Sequence, residues 1–185
     1  PVWYERQQPG DRRRDFKVQK DGSITMLSRS WPPRYVGYDA NFNPTKDYMA
    51  AEPYFTDEHE LQVLENGDYF LVVVRDTTVD WSDTVPEGRS NVNVLESAIQ
   101  GFNADDELIF TWAGLDHFDP NDIFGYCTLN EANPKSNYVR FPHMNAIDVD
   151  DDGHILLSSR HLSEVTKINR DTGEIIWRLG GANNQ

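Results

Sequence analysis

The chain has 185 residues, 38% hydrophobic and 12% aromatic, the composition of a folded globular protein long enough to bury a sizeable core. Its 31 acidic residues against 17 basic ones give a formal charge of −14, which argues against recognition of a nucleic-acid backbone, since that needs a basic surface. No apolar run approaches the roughly 20 residues that cross a bilayer, so no membrane span is expected, and the single Cys127 has neither a disulfide partner nor metal-ligand spacing.

Read in chain order, one pattern recurs. The opening PVWYERQQPG has no apolar signal core and no initiator Met, so the sequence reads as cut from a longer precursor. DFKVQKDGSITMLSRS, from Asp15 to Ser30, is an alternating strand, a tight turn at Asp21-Gly22 and a second apolar strand. RYVGYDANFNPTKDYMA then reads as a second hairpin. HELQVLENGDYFLVVVRD (His59 to Asp76) repeats the first pattern around Asn66-Gly67, and AIQGFNADDELIFTWAG supplies its second hairpin. HMNAIDVDDDGHILLSSRH (His143 to His161) repeats it again around Asp152-Gly153, followed by VTKINRDTGEIIWRLGG. Asn or Asp before Gly favours tight hairpins because both tolerate positive φ. Two consecutive hairpins make a four-stranded antiparallel unit.

The fold class is therefore all-β, a β-propeller built from four-stranded blades. About three blades are present, at roughly 15–49, 59–114 and 143–181, within one partial domain spanning 1–185. Polar insertions at about 77–91 and 116–140 account for the uneven spacing. Trp112 and Trp177 close their outer strands, and Trp3 is placed similarly. A propeller ring needs four to eight blades, so the remaining ones are expected from the same parent chain or from an oligomer.

In a propeller the first strand of each blade lines the channel, and its hairpin partner returns to the same end. That geometry sets His59 near Arg75, His143 near Ser158, Ser159, Arg160 and His161, and Arg14 near Ser28 and Arg29. Arginine forks and histidine donors converging on one channel mouth suit a dense oxyanion. Asp57, Glu58 and Glu60 crowd His59 and tune its basicity or hold its ring. His117 is a second-tier candidate. Asp148, Asp150, Asp152 and Gly153 open like a calcium loop, but Ser159 stands where such a loop needs Glu, and a strand follows, so no metal is assigned.

The segment from His143 through Leu179-Gly180 resembles the signature blade of the arylsulfotransferase family, which runs His, any residue, Asn, a strand, an acidic turn, then Ser-Ser-Arg-His. His143, Asn145, Ser158, Ser159, Arg160 and His161 match it. HELQVLENGDYFLVVV resembles an earlier blade of that family, with His59 in the matching place. The resemblance implies a six-bladed propeller in which an aryl sulfate gives its sulfuryl group to an enzyme His and a phenol collects it, without a further cofactor. It implies His59, His143 and Arg160 as catalytic residues and Asn145 and His161 as substrate-binding ones, and Arg75 joins the substrate-binding set from the strand-end geometry. The family's nucleophilic His lies on a later blade, past GGANNQ. A periplasmic or secreted location is implied as well. Two alternatives remain at this point: a propeller that binds sulfated or other anionic ligands without chemistry, and a quinoprotein-like or adhesion propeller whose Trp residues only dock blades.

Overall fold

Three four-stranded antiparallel sheets follow one another along the chain in a computed structural model that describes residues 13–123, 133 and 135–184. Trp3 and Cys127 lie outside the described residues. The first sheet is β1 (Arg13–Val18), β2 (Ile24–Ser28), β3 (Arg34–Tyr38) and β4 (Pro44–Tyr48). In the second are β5 (Phe55–Val63), β6 (Tyr69–Val79), β7 (Val92–Phe102) and β8 (Leu108–Ala113), joined by β9 (Tyr138–Phe141). The third holds β10 (Met144–Val149), β11 (Ile155–Ser159), β12 (Glu164–Ile168) and β13 (Ile175–Gly180). Each sheet runs in simple chain order, as propeller blades do. The described residues contain no α-helix, hence none long and apolar enough to cross a membrane.

The three turn glycines expected from the sequence each have positive φ: 82° at Gly22, 86° at Gly67 and 82° at Gly153. A residue with a Cβ is strained there. β1, β5 and β10 are the leading strands of their sheets and sit side by side. Lys17 of β1 pairs with Glu60 of β5. Lys20, just past β1, reaches Asp148 of β10 at 3.1 Å and donates its backbone N–H to the Val63 carbonyl.

Alternation along the strands builds two apolar interfaces. Leu27 and Tyr35 of the first sheet meet Leu61, Leu71 and Val73 of the second. Phe70, Ile99 and Trp112 of the second meet Ile147, Ile155 and Leu157 of the third. Trp112 is buried, and its indole N–H donates to the Gly173 carbonyl at 2.8 Å, tying the last strand of the second sheet to the last turn of the third. A buried indole needs such an acceptor.

The insertions have structure of their own. β6 and β7 pair without a break from Tyr69↔Phe102 to Val79↔Val92, so residues 77–79 extend a strand that the sequence suggested had ended. Loop 80–91 folds back and buries Trp81 and Val85 in the core. The second insertion makes single 3-10 turns at Gly114–Asp116 and Pro120–Asp122, then returns as β9, parallel to β7. That fifth, parallel strand was not foreseen in a four-stranded blade. The 3-10 turn at Pro120–Asp122 is tied to the third sheet by Arg178, whose guanidinium forks onto Glu164 at 2.7 Å and reaches Asp122 at 3.1 Å.

Candidate functional site

All three leading strands break register at one end. Arg14 pairs with Leu27 but Lys17 with Thr25; Thr56 pairs with Val73 but Leu61 with Leu71; Met144 pairs with Ser159 but Ala146 with Ser158. Extra residues are thereby pushed out of the ladder: 15–16 in β1, 57–60 in β5 and Asn145 in β10. Bulges re-aim side chains and gather near functional sites, and here they present Asp57, Glu58, His59, Glu60 and Asn145.

Three histidines meet at this end. The His59 and His143 rings lie 5.2 Å apart between centroids, and those of His143 and His161 4.6 Å apart, both edge-to-face. His143 is 6% exposed and His161 1%, while His59 is half-buried and opens the row to solvent. His143 holds a φ of 59°, unusual for a residue with a Cβ and costing about 1–3 kcal/mol. The carbonyl groups of Pro142 and His143 accept the N–H groups of His161 and Arg160 at 3.3 and 2.9 Å, which over-determines that backbone.

The outer histidines have assigned protons. His161 Nδ1 lies 2.8 Å from the Arg140 carbonyl oxygen, which can only accept, so Nδ1 carries hydrogen and the ring orientation is fixed. His59 Nδ1 lies 2.5 Å from Asp57 Oδ1. The hydrogen bond to that carboxylate holds the His59 pKa above the ordinary imidazole value, against the opposing effect of burial. His59 is thus biased toward a cation that can donate to an anion.

The arginines sort differently from the histidines. Arg160 is brought beside His143 through its backbone, and its side chain is exposed to solvent. Arg14 and Arg29 meet, as the strand geometry suggested, but on Glu58, at 3.1 and 3.2 Å. Arg75 is engaged by its own blade: its Nε donates to Glu96 at 2.5 Å, and its guanidinium covers the Tyr54 ring at 4.9 Å. The physical reason is that Glu96 is fully buried and needs a countercharge. His117 stacks flat on Trp112 at 4.2 Å, part of the packing between blades, with burial lowering its pKa. The acidic turn is occupied by a cation of the chain itself, since Lys167 bridges Asp150 and Asp152 at 2.7 and 2.6 Å.

Arg140 was missed by sequence reasoning. It leads from β9 into His143, caps His161 with its carbonyl, and lines a cleft of about 260 Å³ with Arg29, Trp31, Pro33, Asp57 and Glu58. The signal was available in YVRFPH, where Tyr138, Val139, Arg140 and Phe141 alternate and Pro142 ends the strand directly before His143.

A run of three four-stranded blades, with histidines of the second and third packed together at one end, defines a β-propeller segment with a polar cluster there. Its sequence matches the arylsulfotransferase (ASST) family over residues 2–184, nearly the whole chain, and the chain belongs to that family. No curated protein matches it. A crystal structure of a protein of unknown function from Bacteroides caccae is similar, with a TM-score of 0.52 at 12% identity, over 100% of this chain and 50% of that one. At that identity the likeness concerns the fold, and the chain spans half the length of that structure.

Proposed function

We propose that this chain supplies the sulfuryl-binding part of an arylsulfotransferase, with His59, His143 and Arg160 at the reacting group and Asn145 and His161 supporting them. The observation that carries this reading is the row of three packed histidines, from the β5 bulge, the start of β10 and the end of β11, one of them biased toward the cation by Asp57. In the transfer, the S–O bond of an aryl sulfate breaks and the aryl oxygen leaves with its electron pair. A histidine nitrogen forms the new bond to sulfur. A phenol oxygen then attacks that sulfur, releasing the histidine, and the phenolic proton passes to solvent or to the departed aryl oxide. Negative charge develops on the leaving oxygen and persists on the sulfuryl oxygens, and donors already in place there lower the barrier.

His59, held by Asp57 and biased by it toward the cation, donates to that charge from the solvent side. His161, its ring fixed by the Arg140 carbonyl, packs behind His143 and supports it, and Asn145 and Arg160 add donors from the bulge and the strand end. Arg75 is assigned to Glu96 instead of substrate, because withdrawing it would leave a buried carboxylate unpaired. By the family pattern the histidine that takes the sulfuryl group comes from a later blade, supplied by the parent chain or an assembled partner. Aryl sulfate and phenol are the proposed substrates, and the proposed setting is periplasmic or secreted.

The test uses the intact parent protein with 4-nitrophenyl sulfate as donor and a phenol as acceptor, beside His143→Ala and Arg160→Ala. Nitrophenol release that falls at least a hundredfold in both variants, with folding retained, supports the reading. A folded wild-type protein that transfers nothing across a panel of donors and acceptors refutes it in favour of an anion-binding propeller.

A further inference from the structure

β6 and β7 run on beyond the four-stranded part of their blade. β5 pairs with β6 only as far as Val74, and β8 pairs with β7 only from Ala98 onward, yet β6 and β7 stay paired to Val79↔Val92. β9 covers the other edge of β7 from Asn93 to Glu96. The result is a three-stranded arm rising at the end of the blade where the histidines lie.

The two faces of this arm are chemically opposite. Val92, Val94, Val139 and Phe141 point to the core and are fully buried. On the outer face, Thr78, Asn93 and Tyr138 are register partners across the three strands, so their side chains form one row. Thr78 Oγ1 donates to Asn93 Oδ1 at 3.3 Å, and Tyr138 is 46% exposed. The next row on the same face is Asp76, Leu95 and Arg140, two residues or about 6.6 Å further along the strands. Arg140 is the residue whose carbonyl holds His161. From Tyr138 to His143 the chain covers about 18 Å at most.

Two clefts share Asn93 along this row. One, of about 320 Å³, is lined by Asp76, Thr77, Thr78, Asn93 and Tyr138. The other, of about 560 Å³, includes Arg89, Ser90, Asn91, Asn93 and Asn137. Among the described residues, the side chains of Arg89, Asn91 and Asn137 bond to no other side chain or backbone group. Apart from Asp76, Arg89 and a glycine, the lining is thus made of amides and hydroxyls with one exposed aromatic ring. A carboxamide both donates and accepts, which matches a sugar hydroxyl doing the same. An exposed Tyr gives a flat apolar face with a polar tip. One Asp and one Arg cancel, and a chain of charge −14 repels polyanions at long range. The chemistry selects a neutral, hydroxyl-rich ligand longer than one ring.

We infer that the outer face of the β6–β7–β9 arm is a binding groove for a neutral polysaccharide chain, running from Asn91 and Asn137 across Tyr138 toward the histidine site. The groove would hold a glycan-bearing molecule beside the channel mouth. This assignment stands on the arm alone and does not depend on sulfuryl transfer.

The test is affinity gel electrophoresis of the intact protein in gels containing laminarin, mannan, xylan, hydroxyethylcellulose or dextran, with dextran sulfate as a charged control and no sulfuryl donor present. Retardation by at least one neutral polymer is expected, weakened at least tenfold by Tyr138→Ala and by Asn93→Ala. Both residues are exposed, so the variants fold; Asn91→Ala provides a third reading further along the groove. No retardation by any neutral polymer overturns the inference, as does binding that the three variants leave unchanged. Retardation by dextran sulfate alone, abolished by salt, also overturns it. Because no donor is present, these outcomes are separable from success or failure of the transfer assay.

Discussion

Arg178→Met tests how the insertion that delivers His143 is held. Arg178 donates through Nε and Nη2 to the two oxygens of Glu164 at 2.7 Å each, and through Nη1 and Nη2 to Asp122 Oδ2 at 3.1 Å. The Glu164 side chain is 0% exposed, that of Arg178 13% and that of Asp122 14%. An exposed ion pair would contribute about 0–1 kcal/mol. Here the arginine is nearly buried, and removing it strands a carboxylate with no access to water, which costs about 3–5 kcal/mol. With an m value of about 2 kcal/mol/M, the urea midpoint of the intact protein should fall by about 2 M. Adding Glu164→Gln to Arg178→Met should recover part of that loss, because the stranded charge disappears while an acceptor remains for the Thr166 hydroxyl, now at 2.6 Å from Glu164. A loss under about 1 kcal/mol, or a double variant less stable than Arg178→Met alone, would refute the argument that the pair is a buried, mutually dependent one.

Asp57→Asn should lower the pKa of His59, read from the ring proton shifts in an NMR titration, since the hydrogen bond to the carboxylate is what raises it. In the wild type the sign follows: the pairing stabilises the fold fully below the unfolded histidine value of about 6.5 and fades as pH rises through the elevated folded value, and this dependence should flatten in the variant. Gly114→Ala would place a Cβ 2.4 Å from Pro142 Cδ and 2.9 Å from the Ser97 carbonyl oxygen. It should cost about 1–3 kcal/mol in urea unfolding and displace His143, lowering transfer from 4-nitrophenyl sulfate. Trp112→Phe keeps an aromatic ring but leaves the Gly173 carbonyl without its indole donor. A loss of about 1–3 kcal/mol is expected by thermal or urea unfolding, and a variant as stable as wild type would show that this bond does not hold the second and third blades together.

Local rules carried the fold, because its signals are local. Period-2 alternation and an Asx-Gly pair every repeat specify hairpins without reference to the rest of the chain, and three glycines with φ near 82–86° are the outcome. The histidines stood out for a related reason: His59 lies within the leading strand β5, His143 directly before the leading strand β10 and His161 just past the hairpin partner β11, so the hairpin pattern itself pointed to one end of the sheets. Arginine was harder to place from the same geometry. Position at a strand end does not say which carboxylate a long guanidinium will reach, and Glu96, at the centre of β7, looks in sequence like any strand residue until burial makes its need for Arg75 decisive. Arg14 and Arg29 followed the same logic onto Glu58. β9 was least accessible, since a parallel strand is paired by a distant return of the chain and has no turn signal beside it. Yet that return brings Arg140 and His143 to the site and creates the outer face of the arm. The features that separate this chain from a generic propeller therefore come from its insertions, where non-local pairing replaces the repeat as the organising constraint.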